Sequence, residues 1–295
     1  MKKTSCVEDI RINVQEVFKI NKAIIVYTIV DDVLKGIQHK GDERQQMTDA
    51  EVITTAILAG LLFGGNVENA RKILFETGLI PRMLSKSRLW RRIHALKDLM
   101  ADIFLYFGEV FKQFNESFEY IMDTFPVAVC DNIRIKRCRL VRSEEFRGYC
   151  ASKRRYFYGV KVQIVSTSDG IPVEILFLPG SAHDSEALHL LNLDLPKGSN
   201  VYADAAYTNY DVEDTLIEQD GITLSPQRKK VSLRQDDFPT KLYKSFTRKK
   251  IETVFSQITQ LFPRQIHAVT MKGFLLKILL FILGFTLDRA FGQIL

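Results

Sequence analysis

Residues 119–130 read EYIMDTFPVAVC, an apolar run that is interrupted by a single acidic residue, Asp123. The pattern predicts a short buried strand over residues 118–122, with Asp123 at its end. A carboxylate is costly to bury without a partner. Asp123 is therefore either an ordinary turn residue at a strand end or a functional group directed at a site, and the rest of the chain has to decide between the two.

Two further acidic residues occupy comparable positions. Asp204 follows an apolar stretch at 200–203 that predicts another short strand, and Glu252 lies in a predicted helix over about 246–262. At 100° per residue, Glu252 falls on the rim of that helix's apolar face, and Arg248, four residues earlier, shares its flank. Two strand ends and one helix rim could therefore bring three carboxylates to one place.

Three converging carboxylates have a recognisable chemistry. Magnesium binds hard oxygen ligands, and it usually takes a few carboxylates together with substrate phosphate. Two such ions can hold the attacking and leaving oxygens of a phosphoryl displacement. Arg248 could orient Glu252 or contact a phosphate. A single Asp or Glu at a strand end is more often a turn or capping residue, so the hypothesis depends on Asp123, Asp204 and Glu252 occurring together in this order of elements, flanked by two basic segments.

The order of predicted elements indicates the fold class. The first third is helical: a Thr48–Glu51 capping box opens a helix to about Phe63, and two further helices are predicted at 67–77 and from Ser85 or Ser87 to about 114. The predicted elements that follow are strands at 118–122, 156–167 and 171–178, a helix at 183–191, a strand at 200–203, a helix at 210–219, a strand at 222–224, and helices at 246–262 and 271–290. Three strands in sequence and then alternating helices and strands predict an α/β, ribonuclease H-like (retroviral-integrase-like) mixed sheet flanked by helices. We therefore predict an all-α domain over residues 1–117 and a catalytic domain over residues 118–295.

The positive charge is concentrated in two segments. The formal net charge is +6, yet residues 130–161 alone hold ten Lys or Arg against three acids, and residues 227–250 hold nine against two. The remaining chain is therefore net acidic. Such a distribution predicts one surface that meets a polyanion, with nucleic acid as the natural partner.

Two stretches supply candidate DNA-binding residues. In FRGYCASKRRYFYG, basic residues that can neutralise phosphates alternate with aromatic residues that can stack on unpaired bases; the basic ones are Arg147, Lys153, Arg154 and Arg155. The alternative is a solvated edge whose aromatic residues belong to the core. In SKSRLWRRIHALK, two short helices precede Arg88, Arg91 and Arg92, as in a helix-turn-helix arrangement, although an exposed basic face of a structural helix fits equally well.

Cysteines and apolar runs bound the cellular setting. The four cysteines show no zinc spacing, which is typical of free thiols in a reducing cytoplasm. The N-terminal residues lack the apolar region of a signal peptide. The most apolar run, 274–287, is short for a membrane span and contains Lys277, so it predicts a buried C-terminal helix and no membrane partner.

With these residues in view, the sequence resembles a DDE-type transposase of bacterial insertion sequences, in a compact branch. The blocks that carry the resemblance are DTFPVAVCDNIRIKR (123–137), FRGYCASKRRYFYGVK (146–161) and RKKIETVFSQI (248–258). It extends over nearly all of the chain after residue 45. It implies that Asp123 and Asp204 are the catalytic aspartates, that Glu252 is the catalytic glutamate, and that two Mg²⁺ ions, replaceable by Mn²⁺, are bound by all three.

The resemblance also implies a reaction and partners. Metal-dependent hydrolysis would free transposon 3′-OH ends, and these ends would then attack target DNA. Double-stranded DNA, as transposon ends and as target, is the implied substrate of a cytoplasmic, nucleoid-associated protein. Pairing two ends implies a homodimer or a higher homo-oligomer.

The sequence departs from the insertion-sequence signature Tyr-x2-Arg-x3-Glu-x6-Lys. Arg248 and Glu252 match, but Ser245 and Thr259 occupy the Tyr and Lys positions, and Ala205 follows the second aspartate where a larger polar residue is common. Two alternatives therefore stay open: a ribonuclease H-fold nuclease that cuts without joining, and a DNA-binding regulator without catalysis. Residues 1–45 give no functional prediction.

Overall fold

The computed structural model describes residues 3–141, 143–150, 154–183, 188, 190 and 193–292, with side chains other than those of residues 3–16 and 132. The chain forms two compact units. Unit 1 comprises Met1–Ile103, Leu261–Arg264 and Leu276–Leu295, and unit 2 comprises Phe104–Gln260 and Gln265–Leu275. The compact units thus differ from the predicted division at residue 117, because unit 1 also takes up the end of the chain.

Unit 1 is helical, as predicted for the first third of the chain. Its helices are α1 (Lys3–Gly36), α2 (Asp49–Phe63), α3 (Val67–Glu76), α4 (Lys86–Ala95), the first part of α5 (Lys97–Gln113) and most of α8 (Met271–Phe291). The predicted capping box opens α2: Thr48 Oγ1 accepts from the Glu51 N–H at 3.1 Å, and the Thr48 N–H donates to Glu51 Oε2 at 2.7 Å. Gly64, at φ +55°, ends the helix in the left-handed conformation.

The third predicted helix is in fact two helices, which corrects the prediction of one long helix. The chain leaves helical geometry at Leu96, with φ −92° and ψ 10°, between α4 and α5. The apolar residues keep a helical spacing through the break, since Leu89 and Ile93 are buried on α4 and Met100 and Ile103 on α5. The helical spacing of the apolar residues therefore does not reveal the break between α4 and α5.

The C-terminal helix α8 is buried, as predicted. Ile278, Phe281, Ile282 and Leu283 are each at most 1% exposed. A β-carbon added to Gly60 of α2 would lie 2.9 Å from the Leu280 carbonyl oxygen, so the two backbones pack in direct contact there. Among the described residues, no single helix is long and apolar enough to cross a membrane, although the sharply bent pair α2 and α3 passes the same test jointly.

Unit 2 contains a mixed six-stranded sheet in the predicted ribonuclease H-like order. Its strands are β1 (Glu119–Asp131), β2 (Arg147–Cys150), β3 (Arg155–Thr167), β4 (Pro172–Pro179), β5 (Asn200–Ala203) and β6 (Thr223–Pro226). The order is β2-β3-β1-β5-β6, with β4 also paired to β3. β1 is central: β3 runs antiparallel to it on one side, and β5 runs parallel to it on the other. The sequence did not predict β2.

The first strand is longer than predicted, and this changes the position of Asp123. β1 spans 13 residues rather than five, and Asp123 lies inside it, opposite Ile164 of β3. β5 pairs only with Glu119–Met122, so the parallel pairing stops one residue before Asp123. Beyond that point β1 has one neighbour. Pro126 is tolerated because its missing N–H falls where a strand edge can do without one.

The two faces of the sheet are covered by different helices. One face carries the core, with Phe111 of α5 and Val212 of α6 (Tyr210–Thr215) packed against it. The buried core residues are Tyr120, Met122, Val165, Val173, Leu188, Leu193, Leu195, Val201, Ala203, Tyr207, Ile222 and Leu224. The opposite face receives α7 (Phe238–Gln260), whose Phe255 ring lies 4.7 Å from the ring of Phe125 on β1.

The remaining elements follow the prediction with shifted ends. α6 continues into a π-helical turn over Leu216–Asp220, and α7 begins eight residues before its predicted start. The helix predicted at 183–191 falls mostly outside the described residues.

Candidate functional site

Asp123 and Asp204 lie side by side at one edge of the sheet. Met122 of β1 pairs with Ala203 of β5 in parallel register, so the next residue of each strand is an aspartate. Neighbouring strands are about 4.8 Å apart, and residues in register project to the same side. Both side chains are half-buried. The sequence predicted that these two residues meet, and the register brings their backbones together.

Backbone amides orient both carboxylates. The Thr124 N–H donates to Asp123 Oδ1 at 2.8 Å, and the Ala205 N–H donates to Asp204 Oδ1 at 2.6 Å. Asp204 is also the N-cap of the short 3-10 helix Ala205–Tyr207. The capping role considered from sequence is therefore real for Asp204. It does not remove the residue from the sheet edge.

The alternation of strand residues places both aspartates on the face that α7 covers. Asp123 shares its face with Phe125, whose ring contacts Phe255, and Asp204 shares its face with Tyr202. The Tyr202 ring lies 5.6 Å from the ring of Tyr243, near the start of α7. Because α7 contacts β5 through Tyr243 and β1 through Phe255, the helix segment between these residues passes over the aspartates.

That segment carries Arg248 and Glu252. Arg248 Nη1 lies 3.4 Å from Asp204 Oδ1, and Arg248 Nε lies 3.7 Å from Glu252 Oε1. The Arg248 side chain is 37% exposed, that of Asp204 32% and that of Glu252 59%. Neither ion pair has the geometry of a hydrogen bond, and Arg248 Nε is buried without a hydrogen-bond partner. Arg248 thus joins two of the three predicted carboxylates through loose, displaceable contacts.

The carboxylate oxygens of Asp123 and Asp204 are suitable ligands for a divalent cation, but they do not form a complete metal site with a third side chain in the described residues. Two aspartates on adjacent strands supply hard oxygen ligands of the kind that Mg²⁺ prefers. No group of three His, Cys, Asp or Glu side chains in the described part of the chain is close enough to hold a metal ion. Glu252 Oε1 lies 3.7 Å from Arg248 Nε. The role of all three residues as a metal-binding triad stays a prediction.

Gln227 belongs to this edge of the sheet, and sequence reasoning missed it. It follows β6 directly; its N–H donates to the Ala203 carbonyl at 3.0 Å, and its Oε1 accepts from Arg248 Nη1 at 3.5 Å. A glutamine after a short strand has no distinguishing spacing, so no signal in a single sequence could have found it.

Tyr243, which is two residues away from the signature tyrosine position, has an internal role. Its hydroxyl donates to Glu119 Oε1 at 2.7 Å, and the Tyr202 hydroxyl donates to the same oxygen at 3.2 Å. Burial and the Glu119 carboxylate raise the pKa of Tyr202, and the hydrogen bond to Glu119 raises the pKa of Tyr243. Both hydroxyls therefore stay protonated at neutral pH and fix the start of α7 to β1 and β5.

The basic residues around β2 and β3 are held in different ways. The Arg147 guanidinium lies 4.5 Å above the Tyr156 ring and 3.4 Å from Glu144, and Arg155 lies 3.3 Å from Asp131. Arg154 is exposed, with φ +48°, and Lys153 lies outside the described residues. Arg147 and Arg155 are about half exposed, so both can still reach a ligand. Their contact with DNA stays a prediction.

In unit 1 the three predicted arginines separate into two kinds. Arg88 and Arg91 are exposed on α4. Arg92 is half-buried, donates to Gln45 Oε1 at 2.6 Å and forms an ion pair with the buried Asp49 at the start of α2. Arg92 is thus engaged in holding α4 to α2, a role that its position in a basic stretch did not reveal. Arg88 and Arg91 remain the candidates for DNA contact.

The described cysteines are thiols, as predicted. Cys130, Cys138 and Cys150 form no disulfide. Burial and the neighbouring Cys138 thiol raise the pKa of Cys130 to about 12, so Cys130 carries no thiolate at neutral pH. A nucleophilic role for this thiol is therefore unsupported.

Comparison with known proteins identifies the family. The model of the family described as the transposase DDE domain matches residues 119–274, which is more than half of the chain. No curated protein matches the chain in sequence. Among solved structures, the piggyBac transposase synaptic complex with hairpin DNA is similar, with a TM-score of 0.46 and 12% identity over 93% of this chain and 75% of that one. The matched residues contain Asp123, Asp204 and Glu252. The chain belongs to the transposase DDE domain family.

Proposed function

We propose that the protein is a DNA transposase that cleaves the ends of an insertion sequence and joins their 3′-OH groups to target DNA. The observation that carries the proposal is the register of Asp123 beside Asp204 beneath the helix that bears Arg248 and Glu252. Family membership gives the class of protein; the cleavage-and-joining reaction and the identity of the element are the proposed part.

Each residue has a distinct part in this proposal. Asp123 and Asp204 form a rigid pair of oxygen donors, because strand pairing and backbone amides hold them. Glu252, more exposed and on a helix, completes the set when its side chain turns from Arg248 toward the aspartates. Two Mg²⁺ ions, or Mn²⁺ ions, bound by these carboxylates would stabilise the charge that develops on the attacking and leaving oxygens. Arg248, once released, is placed to contact the scissile phosphate.

The remaining partners follow from the same proposal. The substrates are double-stranded DNA at the transposon ends and at the target, and a homodimer or larger homo-oligomer would hold two ends together. We call the sheet edge that carries Asp123 and Asp204 the acidic edge. The candidates for DNA contact outside it are Arg88, Arg91, Arg147, Arg154 and Arg155. A transposase of this kind acts in the cytoplasm on the nucleoid.

The decisive experiment uses Asp123→Asn, Asp204→Asn and Glu252→Gln. Each substitution is nearly isosteric, and it removes a charged oxygen while preserving the fold. We expect all three variants to bind duplex DNA and to lose Mn²⁺-dependent cleavage of duplexes that carry the sequences flanking the reading frame. Glu218→Gln, which removes an exposed acid elsewhere in unit 2, is the control and should cleave normally. Normal cleavage by Glu252→Gln would reject the triad.

Two further readouts separate the alternatives. A nuclease that does not join would cleave these duplexes and fail to insert a pre-cut end into a plasmid. A regulator without catalysis would bind duplex DNA and show no heat of Mn²⁺ binding in calorimetry. A transposase should give both the insertion product and the metal-binding heat.

A further inference from the structure

Residues 227–236, in the segment between β6 and α7, form a loop that several side-chain bonds hold beside the acidic edge. At its start, Arg228 forms a bidentate ion pair with Glu213 at 2.8 and 2.6 Å, and these side chains are only 7% and 4% exposed. Near its end, Arg234 forms a bidentate pair with Asp214 at 2.8 and 2.7 Å. Such paired geometry fixes orientation as well as charge. Both ends of the 227–236 loop are therefore anchored to α6.

The interior of the loop is also fixed. The two hydrogens of Gln235 Nε2 are shared among the carbonyl oxygens of Lys229, Lys230 and Ser232, which lie at 3.1, 3.2 and 2.6 Å. The Tyr210 hydroxyl accepts from the Leu233 N–H at 2.9 Å. The side chains of Arg228 and Arg234 both lie over the Tyr210 ring, at 5.4 and 5.0 Å. All of these contacts favour the same conformation of the 227–236 loop.

The tip of the 227–236 loop exposes two cationic and two aliphatic side chains. Val231 is 89% exposed and Leu233 is 88% exposed, and Lys229 and Lys230 are exposed beside them. Within the described residues, neither lysine forms an ion pair, whereas the two arginines of the loop are both engaged internally. Single exposed aliphatic residues are common and need no explanation. A loop with many internal bonds that exposes two of them directly after two lysines, at the edge of a predicted active site, does need one.

We propose that the 227–236 loop is a DNA-binding element, in which Lys229 and Lys230 neutralise backbone phosphates and Val231 and Leu233 insert into the groove beside the cleavage position. Unpaired lysines favour a polyanion over an apolar protein surface, and aliphatic wedges between base steps are an established means of distorting duplex DNA. The proposal rests on the transposase function proposed above and adds to it the residues that would deform the duplex end.

The reach of the loop sets where the contacts should occur. Gln227 is bonded to Ala203, the residue before Asp204. Three extended residues from Gln227 to Lys230 span at most about 10 Å, and nucleotides on one strand are about 3.4 Å apart along the helix axis. The loop should therefore contact DNA within about three nucleotides of the cleaved bond.

The lysines are tested by the salt dependence of DNA binding. Fluorescence anisotropy with a short fluorescein-labelled duplex is measured across roughly 50 to 200 mM salt for the full-length chain. Log affinity falls as log salt rises, and each phosphate neutralised by a lysine makes this negative slope steeper by about 0.9. Lys230→Gln should therefore make the slope shallower by about 0.9, and Lys229→Gln/Lys230→Gln by about 1.8. Lys197→Gln is the matched control, because Lys197 is exposed just before β5, at the opposite end of that strand.

The aliphatic residues are tested by base unstacking. A duplex end that carries 2-aminopurine in the last three positions should brighten when wild-type protein binds, and Val231→Ser/Leu233→Ser should lose that increase while keeping the wild-type salt slope. Val269→Ser is the matched control, since Val269 is 92% exposed in another part of unit 2. All four substituted residues of the loop are exposed, so circular dichroism should show an unchanged melting temperature for each variant.

The outcomes separate this inference from the function on which it rests. If the wild-type protein binds no duplex, the proposed function fails. If it binds and the lysine variants keep the slope of Lys197→Gln, or the serine variant keeps the 2-aminopurine signal, the loop is not the contact and only this inference fails. If Leu233→Ser instead dissociates an oligomer in sedimentation with DNA binding unchanged, the loop meets a second copy of the chain and the inference is likewise overturned.

Discussion

At the scale of single residues, Arg248 is the positive charge that lies next to the carboxylates of the acidic edge. Its guanidinium lies within 3.4 Å of Asp204 and 3.7 Å of Glu252, where it offsets negative charge that would otherwise be repulsive. A cation can bind to the aspartates only against this positive charge. Because all three side chains are at least about a third exposed, water screens the interaction, and each ion pair contributes on the order of 1 kcal/mol or less.

Arg248→Gln should therefore strengthen metal binding by the protein without DNA. Removal of one nearby positive charge worth about 1 kcal/mol corresponds to a roughly fivefold tighter Mn²⁺ dissociation constant in calorimetry. Lys249→Gln changes the net charge equally at the exposed neighbouring position and should leave that constant unchanged. Unchanged or weaker metal binding in Arg248→Gln would show that the guanidinium does not compete with the cation.

Which residues meet at this edge was predictable to different degrees. Asp123 and Asp204 could be predicted because each follows an apolar stretch, and parallel strands end at the same edge of a sheet. Glu252 could be placed on a helix rim by its angle. The contact of Arg248 with Asp204, 44 positions earlier, could not be predicted, because nothing local in either segment encodes the crossing of α7 over β5.

At the scale of elements, α5 and β4 make an unusually close contact. A β-carbon added to Gly108 of α5 would lie 2.3 Å from the Val173 carbonyl oxygen, so only glycine fits there. One turn further along α5, Lys112 Nζ lies 3.0 Å from Glu174 Oε1, and both side chains are less than 10% exposed. Glu109, more exposed, pairs with the same ammonium at 2.7 Å. A buried ion pair thus adjoins a backbone contact.

Lys112→Met should destabilise unit 2 by about 3 kcal/mol, because it leaves the Glu174 carboxylate buried without its counter-charge. Lys112→Met/Glu174→Leu should recover most of that loss, since a buried pair can often be replaced by apolar side chains at little cost. Urea denaturation monitored by far-UV circular dichroism measures the free energy of unfolding of both variants. A double variant that is as unstable as the single one would show that packing, rather than charge, explains the loss.

The penalty in Lys112→Met should also depend on pH. Burial raises the pKa of Glu174 above its ordinary value, against the opposing effect of Lys112. A carboxyl whose pKa is raised by folding stabilises the folded state while it is protonated, and this contribution is lost as pH rises through the folded-state value. The destabilisation by Lys112→Met relative to wild type should therefore shrink as pH falls from neutral toward the ordinary glutamate value of about 4.3. A penalty that stays constant over that range would contradict this assignment of the charge.

Element boundaries show where sequence periodicity stops being informative. The alternation in β3 and the capping box of α2 were sufficient to predict those elements closely. β1 was predicted too short because Asp123 and Pro126 read as terminators, although a strand with one neighbour tolerates both. The break at Leu96 was missed because buried residues keep their helical spacing on both sides of it.

At the scale of the whole molecule, the C-terminal residues of the chain belong to unit 1, although the residues just before them belong to unit 2. Residues 276–295 of the chain group with the N-terminal helices, whereas the preceding residues 265–275 group with the sheet. The sequence predicted a buried C-terminal helix from its apolar composition. It did not predict which unit would bury it, because composition specifies that a helix is covered and not by what.

Phe281 tests the dependence of unit 1 on its C-terminal helix. Its side chain is 1% exposed, its ring lies 4.7 Å from that of Phe262, and it fills the space above Gly65, where a β-carbon would lie 2.9 Å from its Cζ. Phe281→Ala should cost about 3–5 kcal/mol of unit 1 stability, from lost burial and the cavity that remains. Phe114→Ala is the matched control, because Phe114 is 78% exposed at the end of α5 and its truncation should cost little.

Hydrogen exchange measured by mass spectrometry distinguishes the outcomes by region. Amides of α2, whose Gly60 contacts the Leu280 backbone, should exchange much faster in Phe281→Ala, because unit 1 opens more often when the cavity weakens its core. Amides of β1 and β3 should keep their protection, since their core residues belong to unit 2. Equal loss of protection in α2 and β3 would mean that the two units unfold as one, and unchanged protection in α2 would mean that α8 does not support it.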